Sequence, residues 1–198
     1  MPMPGWRKSR LPGKPMNRCY HLPVQHTIGG TVYDLNTDFR ELLDIIACLE
    51  DPDLPSVLRW QIAIGLFYRQ PVAPRHRRQA MEYLAFFLTA GRQDSPGPKL
   101  LDWQQDADTI ISGVNRAAGQ ELRAASYVHW WTFLGWFHAM GEGELSYLVS
   151  IRSKLAAGKK LETYEQEFYR QNKSRVELKP RYSQQELLEQ ERLNALLG

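Results

Sequence analysis

The stretch Tyr127-Val128-His129-Trp130-Trp131-Thr132-Phe133-Leu134-Gly135-Trp136-Phe137-His138-Ala139-Met140 constrains the fold more than any other part of the chain. At about 100° per residue, Trp130, Phe133, Leu134 and Phe137 recur at i, i+3, i+4 and i+7 and share one bulky face. Val128, Thr132, Gly135 and Ala139 share a second face of small groups. A helix apolar around most of its circumference belongs between neighbours, and the small face predicts a close helix crossing at Gly135. Aromatic side chains bury the largest areas, so this helix anchors the core. Phe39, Trp103, Ile110, Trp130, Trp131, Phe133, Gly135 and Phe137 are the expected core positions.

The rest of the pattern is also helical, with one exception. Val24 to Leu35 alternates like a strand around Gly29-Gly30, a pair suited to a two-residue hairpin turn. Thr37 or Asp38 can cap a first helix, with Glu41 three residues after Asp38 as in a capping box, and this helix carries Phe39, Leu42, Leu43, Ile46 and Leu49. A second helix runs from about Pro55 to Tyr68. Leu58, Ile62 and Leu66 line one side and Trp60, Ile64 and Phe67 another, which predicts burial on both. A third carries Met81, Leu84 and Leu88 behind Arg75-His76-Arg77-Arg78, read as a solvated basic patch. A fourth opens at about Asp102, the aromatic helix is the fifth, and a sixth ends near Gly158. The fold class is therefore mainly all-α: about six helices, a leading hairpin and a peripheral helical tail.

Three regions are expected. Residues 1–23 form a flexible basic arm, 24–158 a helical core, and 159–198 a charged helical extension. The net charge is +3, but Arg7, Lys8, Arg10, Lys14 and Arg18 alone contribute +5, leaving −2 elsewhere. The basic balance thus belongs to the arm and not to a folded nucleic-acid face. Two cysteines, Cys19 and Cys48, imply no disulfide framework. No apolar run reaches membrane-spanning length, and no secretory h-region follows the basic start. In the extension Leu161, Tyr164 and Phe168 make a narrow stripe. Ser183 with Glu186 caps a last helix to about Leu197, whose leucines, Leu187 and Leu188 among them, scatter around the circumference. These five apolar residues are the expected partner contacts.

Catalytic chemistry is not legible. Asp102, Asp106 and Asp108 begin a helix, where carboxylates suit the dipole without any metal. His129 and His138 point to opposite sides of a helix and cannot share an ion. There is no GxSxG, HExxH or GxxxxGK[ST] pattern. No catalytic residue, metal or cofactor is expected.

Four stretches together resemble a known family: Asn36-Thr37-Asp38-Phe39-Arg40, Asp51-Pro52-Asp53-Leu54, Asp106-Ala107-Asp108-Thr109-Ile110 and Tyr127-Val128-His129-Trp130-Trp131-Thr132-Phe133. In order and separation they resemble the small tail assembly chaperones encoded beside the tape-measure gene of long-tailed bacteriophages. The resemblance spans about Val24 to Lys179. It departs at Leu54-Pro55-Ser56-Val57-Leu58-Arg59-Trp60, where that family usually has an acidic helix start. It implies a non-enzymatic protein in the cytoplasm of the infected host. Its partner would be the tape-measure protein, with other tail proteins or copies of itself as further possibilities, and no membrane. A helical tape-measure chain exposes apolar stripes until tube subunits surround it, and a chaperone would cover them by helix-in-groove contact. Two rival readings fit the same body: a head–tail connector or tail completion protein retained in the virion, and a nucleic-acid-binding regulator using the arm. The charge distribution disfavours the last.

Overall fold

In the computed structural model, residues 21–92 and 97–189 are described. Most of the basic arm, part of the loop after Gly91 and the end of the last helix lie outside them. Strands β1 (Gln25–Ile28) and β2 (Thr31–Asp34) pair antiparallel, Gln25 opposite Asp34 and Ile28 opposite Thr31. Gly29 and Gly30 take φ of 55° and 82°, as a primed turn demands. A side chain at Gly29 would also strike the His76 ring, 2.7 Å from a Cβ there. The hairpin rests on the helices: Tyr33 Oη lies 3.0 Å from His76 Nδ1, and His26 stacks on Tyr83. His76 is therefore buried and hydrogen-bonded, and only its arginine neighbours are exposed.

The six expected body helices are α1 (Phe39–Leu49), α2 (Ser56–Phe67), α3 (Arg77–Leu88), α4 (Ala107–Ala118), α5 (Trp130–Ala139) and α6 (Glu144–Ala156). α1 packs on α2 and α5, α2 on α3, and α4 on α5 and α6. Phe39, Leu42 and Ile45 turn inward from α1, and Ala80, Leu84 and Phe87 from α3. Two helices start later than periodicity predicts. Asp102 accepts from Gln104 N and Gln105 N and so holds a separate turn before α4. Residues 127–129 are extended rather than helical, because their backbone is tied to the start of α1.

That tie joins two of the four quoted stretches. Phe39 N donates to Val128 O, Trp130 N to Thr37 O, and Val128 N to the Asp38 carboxylate, which also caps α1 by accepting from Arg40 N. Arg40 donates to Leu122 O and Ala125 O, fixing the loop before α5, while the Phe39 ring stacks on Phe133 at 4.8 Å. His129 caps α5: its Nδ1 accepts from Trp131 N, and its Nε2 lies 3.0 Å from Pro23 O. The paired tryptophans cap a different helix. Trp130 Nε1 donates to Leu88 O, and Trp131 Nε1 to Phe87 O, which also accepts from Ala90 N, so both rings bond carbonyls where α3 ends. The histidine–double-tryptophan sequence is thus a joint between α1, α3 and α5.

Of the expected core, Phe39, Ile110, Trp130 and Phe133 are buried, and Trp103, Trp131 and Phe137 pack against the cluster. Gly135 is not part of it. Gly135 is exposed, and no heavy atom lies within 4 Å of a Cβ built on it, so there is no helix crossing there. α5 packs by its bulky face, and its small face is left to solvent. A helix glycine that does sit in close contact is Gly113 on α4, where a Cβ would meet the Met140 side chain.

The extension is not loosely attached. Helices α7 (Thr163–Gln171) and α8 (Lys173–Val176) enclose a second small core of Leu148, Ile151, Leu161 and Val176, with Phe168 against it. Arg152 crosses from α6 to this layer, and every guanidinium N–H is used. It pairs in two bonds with Asp106, at 2.7 and 2.8 Å, and donates to Leu100 O, Val176 O and Arg175 O. Farther on, Arg181 donates to both Asp102 oxygens. It also stands 3.2 Å from Glu50 Oε2, an ion pair in which that buried oxygen accepts no hydrogen bond among the described residues. No described helix is long and apolar enough to cross a membrane.

Candidate protein-interaction surface

Of the titratable residues singled out from sequence, Asp102, Asp106 and His129 serve structure. Asp106 neutralises Arg152, with both side chains buried. Burial alone would raise the Asp102 carboxyl. Hydrogen bonds from Gln105 N, Lys99, Arg181 and Gln104 N outweigh this and hold it well below the usual carboxylate range. Asp108 is exposed on the first turn of α4. Burial lowers the His129 pKa from 6.5, against the opposing effect of Pro23 O, so the ring is neutral at pH 7. With Nδ1 accepting from Trp131 N, the proton sits on Nε2 and is donated to Pro23 O. His138 is exposed near the end of α5 and edge-on to Phe137. Among the described residues no three His, Cys, Asp or Glu are grouped to hold a metal ion.

The unusual surface is α2. Its inner side buries Ala63, Ile64 and Phe67, as the pattern predicts for one face. The other face was expected to be buried as well and is not. Val57 is 71% exposed, Leu58 40%, Ile62 36% and Leu66 38%. With Gln61 and Gly65 these residues occupy about half the helix circumference. The one charged residue of α2, Arg59, is turned aside, donating to Leu54 O at 2.6 Å and to Leu49 O. The exposed arc therefore carries no charge. Scattered exposed leucines are ordinary, but a contiguous uncharged apolar face marks an interaction site.

Each expected partner contact has a definite place. Leu161 is buried in the second core, and Phe168 is half-buried against it, edge-on to Tyr147. The physical reason is that α6 turns Leu148 and Ile151 outward from the main core, and the stripe on α7 covers them. Tyr164, Leu187 and Leu188 are exposed. The last two lie on residues 184–189, a helical stretch whose capping Ser183 Oγ accepts from Glu186 N. Gln184 N donates to Asp53, which places the start of this stretch beside the turn leading into α2.

The residues of the α2 face were legible as apolar but assigned to the interior. No local signal separates them from core positions, because a helix with a single charge in twelve residues reads as enclosed on every side. No curated protein and no solved structure matches the chain. The family model described as Bacteriophage Gp15 protein matches residues 20–178, which include the α1–α5 joint, all of α2 and the Arg152–Asp106 pair. With most of its length matched, this chain belongs to the Bacteriophage Gp15 protein family.

Proposed function

We propose that this phage protein is a tail assembly chaperone that binds the tape-measure protein and keeps it soluble until tube subunits enclose it. The observation carrying this reading is the α2 face, an uncharged apolar helical surface open to solvent. A face of this kind fits one apolar stripe of a helical partner. Tyr164 on α7, and Leu187 and Leu188 on the stretch that begins beside the turn into α2, supply further apolar contacts. Several weak contacts acting together give retention without permanence, as a displaceable chaperone requires. The mechanism needs no catalytic group, metal or cofactor.

Co-expression with the tape-measure protein of the same phage tests this. The intact chain should co-purify with it and reduce its aggregation. Leu58→Glu with Ile62→Glu should abolish that while leaving the circular dichroism spectrum and melting temperature in place. Deleting Tyr182–Gly198 from the otherwise unaltered chain should weaken the association. Mass spectrometry of purified particles separates the virion alternative: a chaperone is absent from them, whereas a connector or completion protein is present in fixed ratio. Failure of the intact chain to associate with the tape-measure protein, together with its presence in particles, would replace the chaperone reading by the connector one.

A further inference from the structure

We infer that a groove of aromatic rings between the hairpin and α3 is the docking site for this chain's own proline-rich segment Pro12–Tyr20, held in an extended polyproline II conformation. The rings form a continuous row. His26 stacks on Tyr83 with centroids 3.7 Å apart, Tyr83 stands 5.8 Å from Phe86, and Phe86 stands 6.1 Å from Trp131. The groove over this row has Gln79 and Glu82 at one end and Trp131, Pro23 and His21 at the other. Three features select the arm as its occupant. The first is position. The described chain begins at His21 on the rim, and His129 Nε2 donates to Pro23 O, so residues 1–20 join the body at the mouth of the groove. The second is chemistry. Pro12-Gly13-Lys14-Pro15 repeats proline at i and i+3, which puts both rings on one side of a helix with three residues per turn. Aromatic-lined grooves bind such segments. Lys14 and Arg18 supply cations for the ring faces, since the one charged residue of the lining, Glu82, is already paired with Arg78. Proline has no N–H to extend a ladder on β1, and it interrupts the helix that the apolar side of α2 would require. The third is reach. Gln79 and Phe86 stand about 10 Å apart along α3. Pro12 to Tyr20 extends to about 28 Å as polyproline II, enough to turn back at the rim and cover the row.

The tether makes a weak contact sufficient. A segment joined at the rim is present at roughly millimolar effective concentration, so a contact with a dissociation constant of about 0.1 mM is filled about ten to one. A polyproline II run is largely ordered before it docks, which keeps the entropic cost low. The groove shares no residue with the exposed side of α2, and its filling does not rest on the tape-measure reading.

Digestion of the purified full chain with an arginine-specific protease tests the docking, with products identified by mass. Arg18 lies inside the docked segment and Arg7 outside it, so cleavage after Arg7 is the internal reference. Cleavage after Arg18 should be about tenfold slower than after Arg7, following the ten-to-one filling. Phe86→Ser should remove that protection, and Phe86 is 41% exposed, so the helical circular dichroism spectrum should persist. Pro12→Ala with Pro15→Ala should also remove it and leaves every residue of the body in place. Ile62→Glu on α2 should leave it unchanged. Equal rates after Arg7 and Arg18 in the parent chain overturn the inference. So does protection at Arg18 that survives both the Phe86 and the proline variants, or that is lost in Ile62→Glu. Protection that grows with protein concentration would place the arm on a second copy and overturn the assignment to the chain's own groove.

Discussion

Replacing Asp106 by Asn tests how the two cores are joined. The substitution keeps the shape of the side chain and removes its charge. Arg152 is 4% and Asp106 3% exposed at the side chain, so the guanidinium cannot recover by hydration where it sits. It would keep its bonds to Leu100 O, Val176 O and Arg175 O. It would lose the paired carboxylate and face an amide N–H₂ that donates toward it. Breaking one side of a buried pair costs about 3–5 kcal/mol, against a typical domain stability of about 5–15 kcal/mol. With a urea slope of about 2 kcal/mol per molar, the unfolding midpoint should fall by roughly 2 M. Arg152→Met should cost more, since it strands the buried carboxylate and also leaves three carbonyls without their donor. The double variant Asp106→Leu, Arg152→Met should lose less than the two single losses added together. Limited proteolysis supplies a local readout: residues 159–181 should be cleaved sooner in Arg152→Met than in the parent chain, because Arg152 holds the carbonyls of Arg175 and Val176. An Asp106→Asn protein whose midpoint moves by only a few tenths of a molar would show that the pair is not the joint described.

Other perturbations give distinct outcomes. Trp130→Ala removes a fully buried ring and an N–H that caps α3, and should cost about 3–5 kcal/mol in a denaturant titration. Gly135→Ala should leave stability unchanged or raise it by up to about 1 kcal/mol, because the site is open and alanine is the better helix former, whereas Gly113→Leu should lower the melting temperature sharply through its clash with Met140. The His129 pKa is depressed in the folded state, so its contribution is present above about pH 6.5 and is lost as pH falls further; melting temperature measured from pH 8 to 5 should fall less for His129→Asn than for the parent chain.

The helical class and the hairpin follow from local signals, and local signals are what the sequence carries best. Gly29-Gly30 needs positive φ, Asp38 needs a backbone N–H to accept, and the i, i+3, i+4 spacing of Trp130, Phe133 and Leu134 needs a helix. What periodicity misses is set by distant partners. Val128 has an apolar side chain at a helical position, yet its backbone is held extended by Phe39 and Asp38, about ninety residues away in sequence. The second core was hidden for a similar reason. Leu161 and Phe168 look like a thin seam on a charged helix, and only the outward turn of Leu148 and Ile151 from α6 shows what the seam covers. Arg152 and Asp106 lie on different helical patterns, and nothing in either stretch announces that they meet.

The misplaced face of α2 follows from the same limit and leads to the function. A helix lacking charge on every side is ordinarily enclosed, and by that rule Leu58, Ile62 and Leu66 belong inside. The body supplies only enough neighbours for one half. α1 and α3 cover Ala63, Ile64 and Phe67, and beyond them no described element packs over the other half. The pattern of α2 thus asks for one more neighbour than the described residues supply. Pro55 and Arg59 sharpen the point. Pro55 starts the helix without needing an acidic first turn, and Arg59 folds back on Leu54 O and Leu49 O, so the charge that could have made the face soluble is withdrawn from it. With that charge withdrawn, the solvent side of α2 stays apolar from Val57 to Leu66.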